Sequence, residues 1–169
     1  MKNKNILFLL LIIALGTTQK ISAQVNASAT ASATILTGIS ITKVQDMNFG
    51  RLNPGNAGGT AVLSTAGVVT PSGDVTKLAG VTPSAASFTV SGETSYTFSI
   101  TLPSSDYIIT DGSSHDMTVN TFLSSPATTG TISGGGTTLS VGAKLTVNAG
   151  QVSGIYTNGT GFTVTVNYN

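Results

Sequence analysis

GFTVTVNYN, residues 161 to 169, alternates without a lapse: Phe162, Val164, Val166 and Tyr168 are apolar, and Thr163, Thr165 and Asn167 between them are polar. A side-chain period of two belongs to a strand with one face buried and the other wet, and Thr, Val, Phe and Tyr all suit a pleated surface. The same period recurs upstream. Phe88 and Val90 alternate in SFTVSG, and Tyr96, Phe98, Ile100 and Leu102 alternate in SYTFSITLP. Met117 and Val119 do so in HDMTVN, and Val141, Ala143, Leu145, Val147 and Ala149 in SVGAKLTVNAG. Breaker clusters separate these runs: NPGNAGG (53 to 59), TPSGD (70 to 74), TPS (82 to 84), LPSSD (102 to 106), SSPATTG (124 to 130), SGGG (133 to 136) and TNGTG (157 to 161). No helical period stands out after residue 23. About nine or ten short strands at this spacing predict an all-β fold, an antiparallel sandwich or barrel.

The N-terminus reads differently. Lys2 and Lys4 precede the apolar run ILFLLLIIAL (6 to 15), and GTTQKISAQ then offers a small-residue cleavage site after Ala23. That is the layout of a signal peptide, and ten apolar residues fall short of the about 20 that a spanning helix needs. The expected organisation is a signal peptide at 1–23, an extended arm at 24–34 and a β-sandwich at 35–169. Removing 23 of the 169 residues leaves 146, enough for one domain with a real core. Lys2, Lys4 and Lys20 leave with the signal, so Lys43, Arg51, Lys77 and Lys144 face six acids, a net charge of −2. A nucleic-acid binder needs clustered basic residues, and this chain has none. The chain is expected to be exported, reaching the cell surface or the extracellular space through the periplasm, with no stable transmembrane segment after cleavage.

Only 8% of the residues are charged, against about 25% in ordinary globular proteins, and there is no cysteine. Strand edges in such a protein lack the usual charged protection against pairing with another chain. The segment VNASATASATILTGISI (25 to 41) is therefore of interest. Val25, Ala27, Ala29, Ala31, Ala33 and Ile35 form one apolar series, lapsing at Thr37 and resuming at Ile39 and Ile41. Seventeen extended residues would span roughly 56 Å. Two readings stand: residues 35 to 44 are the first strand and 24 to 34 a frayed terminus, or 25 to 35 is an arm that adds to another molecule's sheet. Alanine is a poor strand former, so such an arm needs a shallow groove to hold it extended. The final strand, ending at Tyr168, shows nothing that would cover its outer edge.

The motifs Asn48-Phe49-Gly50, Ser87 to Gly92 (SFTVSG), Val141 to Leu145 (VGAKL) and Gln151 to Tyr156 (QVSGIY), leading into Phe162 to Tyr168 (FTVTVNY), resemble a family of uncharacterised secreted bacterial domains, domain of unknown function 4402. That family is itself similar to spore-coat U and chaperone-usher pilin domains. The resemblance covers roughly residues 35 to 169. It implies an immunoglobulin-like sandwich with a structural role at the cell surface, a partner subunit joined by strand addition, and a periplasmic chaperone. Carried over residue by residue, Val25, Ala27, Ala29, Ala31, Ala33 and Ile35 would be donor side chains. Phe162, Val164, Val166 and Tyr168 would border the acceptor groove. The chain departs from pilins in lacking their disulfide and in offering alanine where donor arms usually insert bulkier residues.

Catalytic constellations are sparse. His115 lies beside Asp116 and four residues after Asp111, a pattern that suits a small metal site or an acid–base pair, but equally a polar loop between strands. No GxSxG is present, and Gly134 to Gly136 precedes a strand rather than a helix, against a phosphate cradle. No catalytic residues, metal ligands or cofactor are expected. The leading expectation is a non-enzymatic structural subunit of a pilus-like or fimbria-like surface assembly. The alternative is a secreted stand-alone adhesion or glycan-binding module using loop residues such as Asp106 and Tyr107. An outer-membrane barrel would need longer strands and aromatic girdles than this chain provides.

Overall fold

A computed structural model describes residues 22–169, so all but the last two residues of the expected signal peptide lie outside the described residues. The chain divides into two units, Met1–Thr34 and Ile35–Asn169. Residues 22–34 of the first are exposed and carry neither strand nor helix.

The second unit is all-β and antiparallel. Its strands are β1 (Ser40–Gln45), β2 (Arg51–Asn53), β3 (Gly59–Leu63), β4 (Val69–Gly73), β5 (Thr76–Leu78), β6 (Ala86–Ser91), β7 (Thr97–Thr101), β8 (Tyr107–Thr110), β9 (Asp116–Ser125), β10 (Thr129–Thr131), β11 (Thr137–Val147) and β12 (Thr165–Tyr168). β11 organises them. Its inward series Leu139, Val141, Ala143, Leu145 and Val147 is buried throughout, as the alternation predicts. One edge of β11 is shared by two strands: β6 pairs with Thr137–Val141 and β3 with Ala143–Val147. β9 takes the opposite edge. β1 then adds to β6, β4 to β3 and β8 to β9, completing a seven-stranded sheet.

Gly142 stands where the shared edge passes from β6 to β3. A Cβ there would collide with the carbonyl oxygen of Leu63 and crowd Ser64, so only glycine allows the chain leaving β3 to come this close. Across the sheet, Gly142 faces Leu123 and Lys144 faces Asn120, leaving Thr121 and Phe122 opposite Ala143. This bulge puts Thr121 at φ 52 and shifts the inward phase of β9 from Met117 and Val119 to Phe122.

A second sheet, in the order β10-β7-β12, packs on the β6 half of the first. Val90, Leu139 and Val141 meet Phe98, Ile132, Val164 and Val166 in one buried cluster. Ala61, Leu63, Val69, Val119, Ala143 and Leu145 form a second cluster under β3 and β9. Met47 and Phe122 pack against both and join them. β2 and β5 form a separate two-stranded ribbon.

Several boundaries differ from the sequence reading. Twelve strands replace nine or ten, the excess lying in three-residue pieces such as β2, β5 and β10. TPSGD, read as a breaker, lies mostly within β4: Pro71 sits opposite Ala61 on an edge strand, where its missing N–H costs nothing. The first strand begins at Ser40 rather than residue 35, and the last at Thr165, leaving Phe162–Val164 outside any ladder.

Substituting Gly142→Ala is expected to destabilise the protein by about 1–3 kcal/mol, because the obstacle is backbone that cannot rotate away. Gly134→Ala, with nothing within 4 Å of the new methyl, should stay within about 0.5 kcal/mol of the parent. Urea unfolding of both variants measures the contrast.

Candidate docking cleft

Among the described residues, the separate ribbon of β2 and β5 aside, every sheet edge in the unit is managed except two. β4 carries Pro71 and Gly73. The outer edge of β8 is covered: Thr110 and Thr157 exchange both backbone hydrogen bonds at 2.9 Å, and Asn158 Nδ2 donates to the Ile108 carbonyl at 2.7 Å. β10 is only three residues long. The remaining edges are that of β1, paired only with β6, and that of the segment from Phe162 into β12, which pairs only with β7. These two edges border the same cleft, of about 780 Å³.

Ile41 and Met47, with Ala86 and Phe88 of the neighbouring β6, line one side, and Phe162 and Val164 line the other. Lys43, Gln45, Asp46, Tyr107 and Asn158 supply a polar rim. Phe162 is held by its ring: it lies 5.0 Å from Phe122 and edge-on to Tyr107 at 5.8 Å between centroids. Its segment is thus anchored by packing while its backbone stays outside the ladder. The Tyr107 hydroxyl donates to the Asn158 carbonyl at 3.2 Å. Burial holds its phenol above the ordinary tyrosine range, a hydrogen bond with the Gly161 backbone acts against that, and the negative charge of Asp46 adds to it.

Beyond the residues that line the cleft, the chain before β1 and the end of β12 are joined by a clasp. Tyr168 Oη donates to the Thr37 carbonyl at 2.7 Å and accepts from the Glu93 N–H at 2.6 Å. The Glu93 carboxylate in turn accepts from Thr37 N–H at 3.2 Å and Thr37 Oγ1 at 2.9 Å. Gly92 makes room, since a Cβ there would meet the Tyr168 hydroxyl. The edges are therefore tied together where β1 begins and β12 ends.

Of the residues singled out for the acceptor side, Phe162 and Val164 line the cleft. Val166 is buried between the sheets, and Tyr168 forms the clasp. Val25 and Ile35 are 90% and 93% exposed, and Ala27, Ala29, Ala31 and Ala33 are exposed in a stretch without assigned strand. Sequence reasoning missed the other wall and the clasp. Ile39 and Ile41 continue the arm's apolar series and hinted at the wall, but Met47 and Glu93 gave no periodic signal.

His115 and Asp111 do come together, with Nδ1 and Oδ2 2.7 Å apart. Asp111 Oδ1 also accepts from the backbone N–H groups of Ser113 at 2.7 Å and His115 at 3.3 Å. Asp116 contributes only its backbone carbonyl, to Gln151 Nε2. Among the described residues no group of three or more His, Cys, Asp and Glu side chains is placed to hold a metal. The hydrogen bonds organise the turn between β8 and β9.

The Ser113 N–H, and after it the His115 contacts, hold the Asp111 carboxyl below the usual carboxylate range. A depressed folded value means the contribution to stability is complete above the unfolded carboxylate range and is lost as pH falls through the depressed value. The melting temperature of the parent should therefore fall more steeply with acidification than that of the Asp111→Asn variant, the two curves converging once Asp111 is protonated. Calorimetry from neutral pH down to strongly acidic pH checks this.

No curated protein and no solved structure matches the chain significantly. Residues 39–168, nearly the whole of the second unit, match the family described as Domain of unknown function (DUF4402), and the chain belongs to that family.

Proposed function

We propose that this protein is a non-enzymatic structural subunit of an exported surface assembly, built on an immunoglobulin-like, pilin-like sandwich whose copies join by β-strand addition. The observation that carries the reading is the pair of unpaired edges facing one another across a single apolar-walled cleft. A strand laid there would hydrogen-bond to backbone that has no partner within the unit, the source of affinity in strand addition, while alternate side chains enter the floor and set register. The occupant is residues 25–35 of a second copy. Their odd series is apolar and their even series is mostly Ser, Thr and Asn, which suits a strand with one face buried. Export by a cleaved signal peptide and escort by a periplasmic chaperone belong to the same reading. The competing role, a stand-alone adhesion or glycan-binding module, would use the cleft for a small ligand and keep the protein monomeric.

A register test separates the two. Ala29→Asp puts a carboxylate on the buried face of the donor strand, where an unpaired charge costs several kcal/mol, and should weaken self-association at least about 100-fold. Ser28→Asp, one residue away on the wet face, should assemble like the parent. The Ala29→Asp protein should still capture a labelled VNASATASATI peptide, because its own cleft is intact. Light scattering and fluorescence anisotropy measure both. A parent that stays monomeric at all concentrations, with the peptide uncaptured, would sink the proposal.

A further inference from the structure

The clasp bears on where the arm can go. The chain before β1 has two routes: it can double back as a hairpin along the open edge of its own β1, or it can run on to another copy. Nothing in the sequence forbids the first route. Gly38 has no atom within 4 Å of a would-be Cβ, so the chain has room to reverse just ahead of β1. A reversal there would turn the backbone groups of Thr37 toward the hairpin. Instead both are committed elsewhere: the N–H goes to Glu93 and the carbonyl to Tyr168. The Thr37 hydroxyl adds a third bond, again to Glu93.

Building on the strand-addition reading, we infer that the Thr37–Glu93–Tyr168 clasp is a selector that blocks self-insertion and keeps the arm available to a second copy of the chain. None of the arm residues 25–35 is among those that line the cleft. Donor and acceptor are thus different surfaces of one subunit. Such a contact is head-to-tail, and it extends into an open chain rather than closing as a two-fold dimer. Breaking the clasp moves the population toward monomers that have filled their own cleft, since the ligand competing for the site is then tethered to it.

The chain contains no cysteine, so an engineered pair reports the partition directly. Ala29→Cys on the arm is combined with Gln45→Cys on the cleft rim in the full-length protein, oxidised, and separated under non-reducing conditions. With the clasp intact, the expected products are covalent multimers. Tyr168→Phe removes both bonds of the hydroxyl; the one to the Thr37 carbonyl ties the chain before β1, and its loss should lower the multimer-to-closed-monomer ratio about 5-fold. Glu93→Ala, which leaves the Tyr168 ring in place, should do the same and guards against a folding defect in the first variant. An unchanged ratio in both variants overturns the selector while leaving strand addition standing. Closed monomers as the main product with the clasp intact also overturn it. Absence of any cross-link, within or between chains, removes the strand-addition reading itself.

Discussion

A single strand, β11, hydrogen-bonds to three others, and both halves of the core hang from its inward side chains. Val141 and Leu139 serve one cluster, Ala143, Leu145 and Val147 the other. This arrangement exists because β6 and β3 take successive halves of the same edge. Two strands can share an edge in this way only if the chain leaving one can pass close to the backbone of the other, which is the space that Gly142 provides. Divergence follows from sharing: beyond β11 the sheet has two separate arms, β6 with β1 and β3 with β4. The second sheet covers only the first of these, and the cleft opens along its margin.

The consequence is a particular distribution of unsatisfied backbone. Backbone N–H and C=O groups must find partners, and an exposed edge strand is where a β-protein leaves them to solvent or to another chain. Here the exposed edges are gathered in one place. A lysine on an edge strand ordinarily deters pairing, yet Lys43 on β1 is drawn into an ion pair with Asp46 at 2.7 Å, only three residues away. Both groups are well exposed, so the pair is weak in stability terms. Its effect is local: it turns the one charge on that edge toward the rim.

The sequence made the all-β class and the buried series of β7, β11 and β12 legible, because a period of two survives wherever a strand is straight and one-sided. It failed where local geometry interrupts that period. The Thr121 bulge reverses the phase of β9, so only HDMTVN stood out and the continuation through Phe122 did not. Pro71 masked β4, since a composition signal for a turn cannot see that the residue lies on an edge. The alternation of Phe162 and Val164 marked a one-sided strand, and only the resemblance to pilins suggested a groove beside it. The opposite wall draws on Ile41, Met47, Ala86 and Phe88, residues brought together by pairing over more than forty positions. The clasp is less legible still. Thr37 reads as a lapse in an apolar series, Glu93 falls between two alternating runs and Tyr168 ends a strand, and only the fold joins them.

That lapse at Thr37 bears on why the arm is made of alanine. Burying a methyl contributes little, about 0.8 kcal/mol for each CH₂-sized group, so an alanine series cannot drive docking by apolar contact alone. Its hold has to come from main-chain hydrogen bonds to the open edges, and these accrue residue by residue along the strand. Main-chain bonding carries almost no sequence information, so selectivity in the proposed assembly would have to come from the side chains that line the cleft. In the proposed assembly, length would compensate for weak side chains, and a polar Thr37 between arm and β1 would mark where the donor strand ends and the subunit's own fold begins.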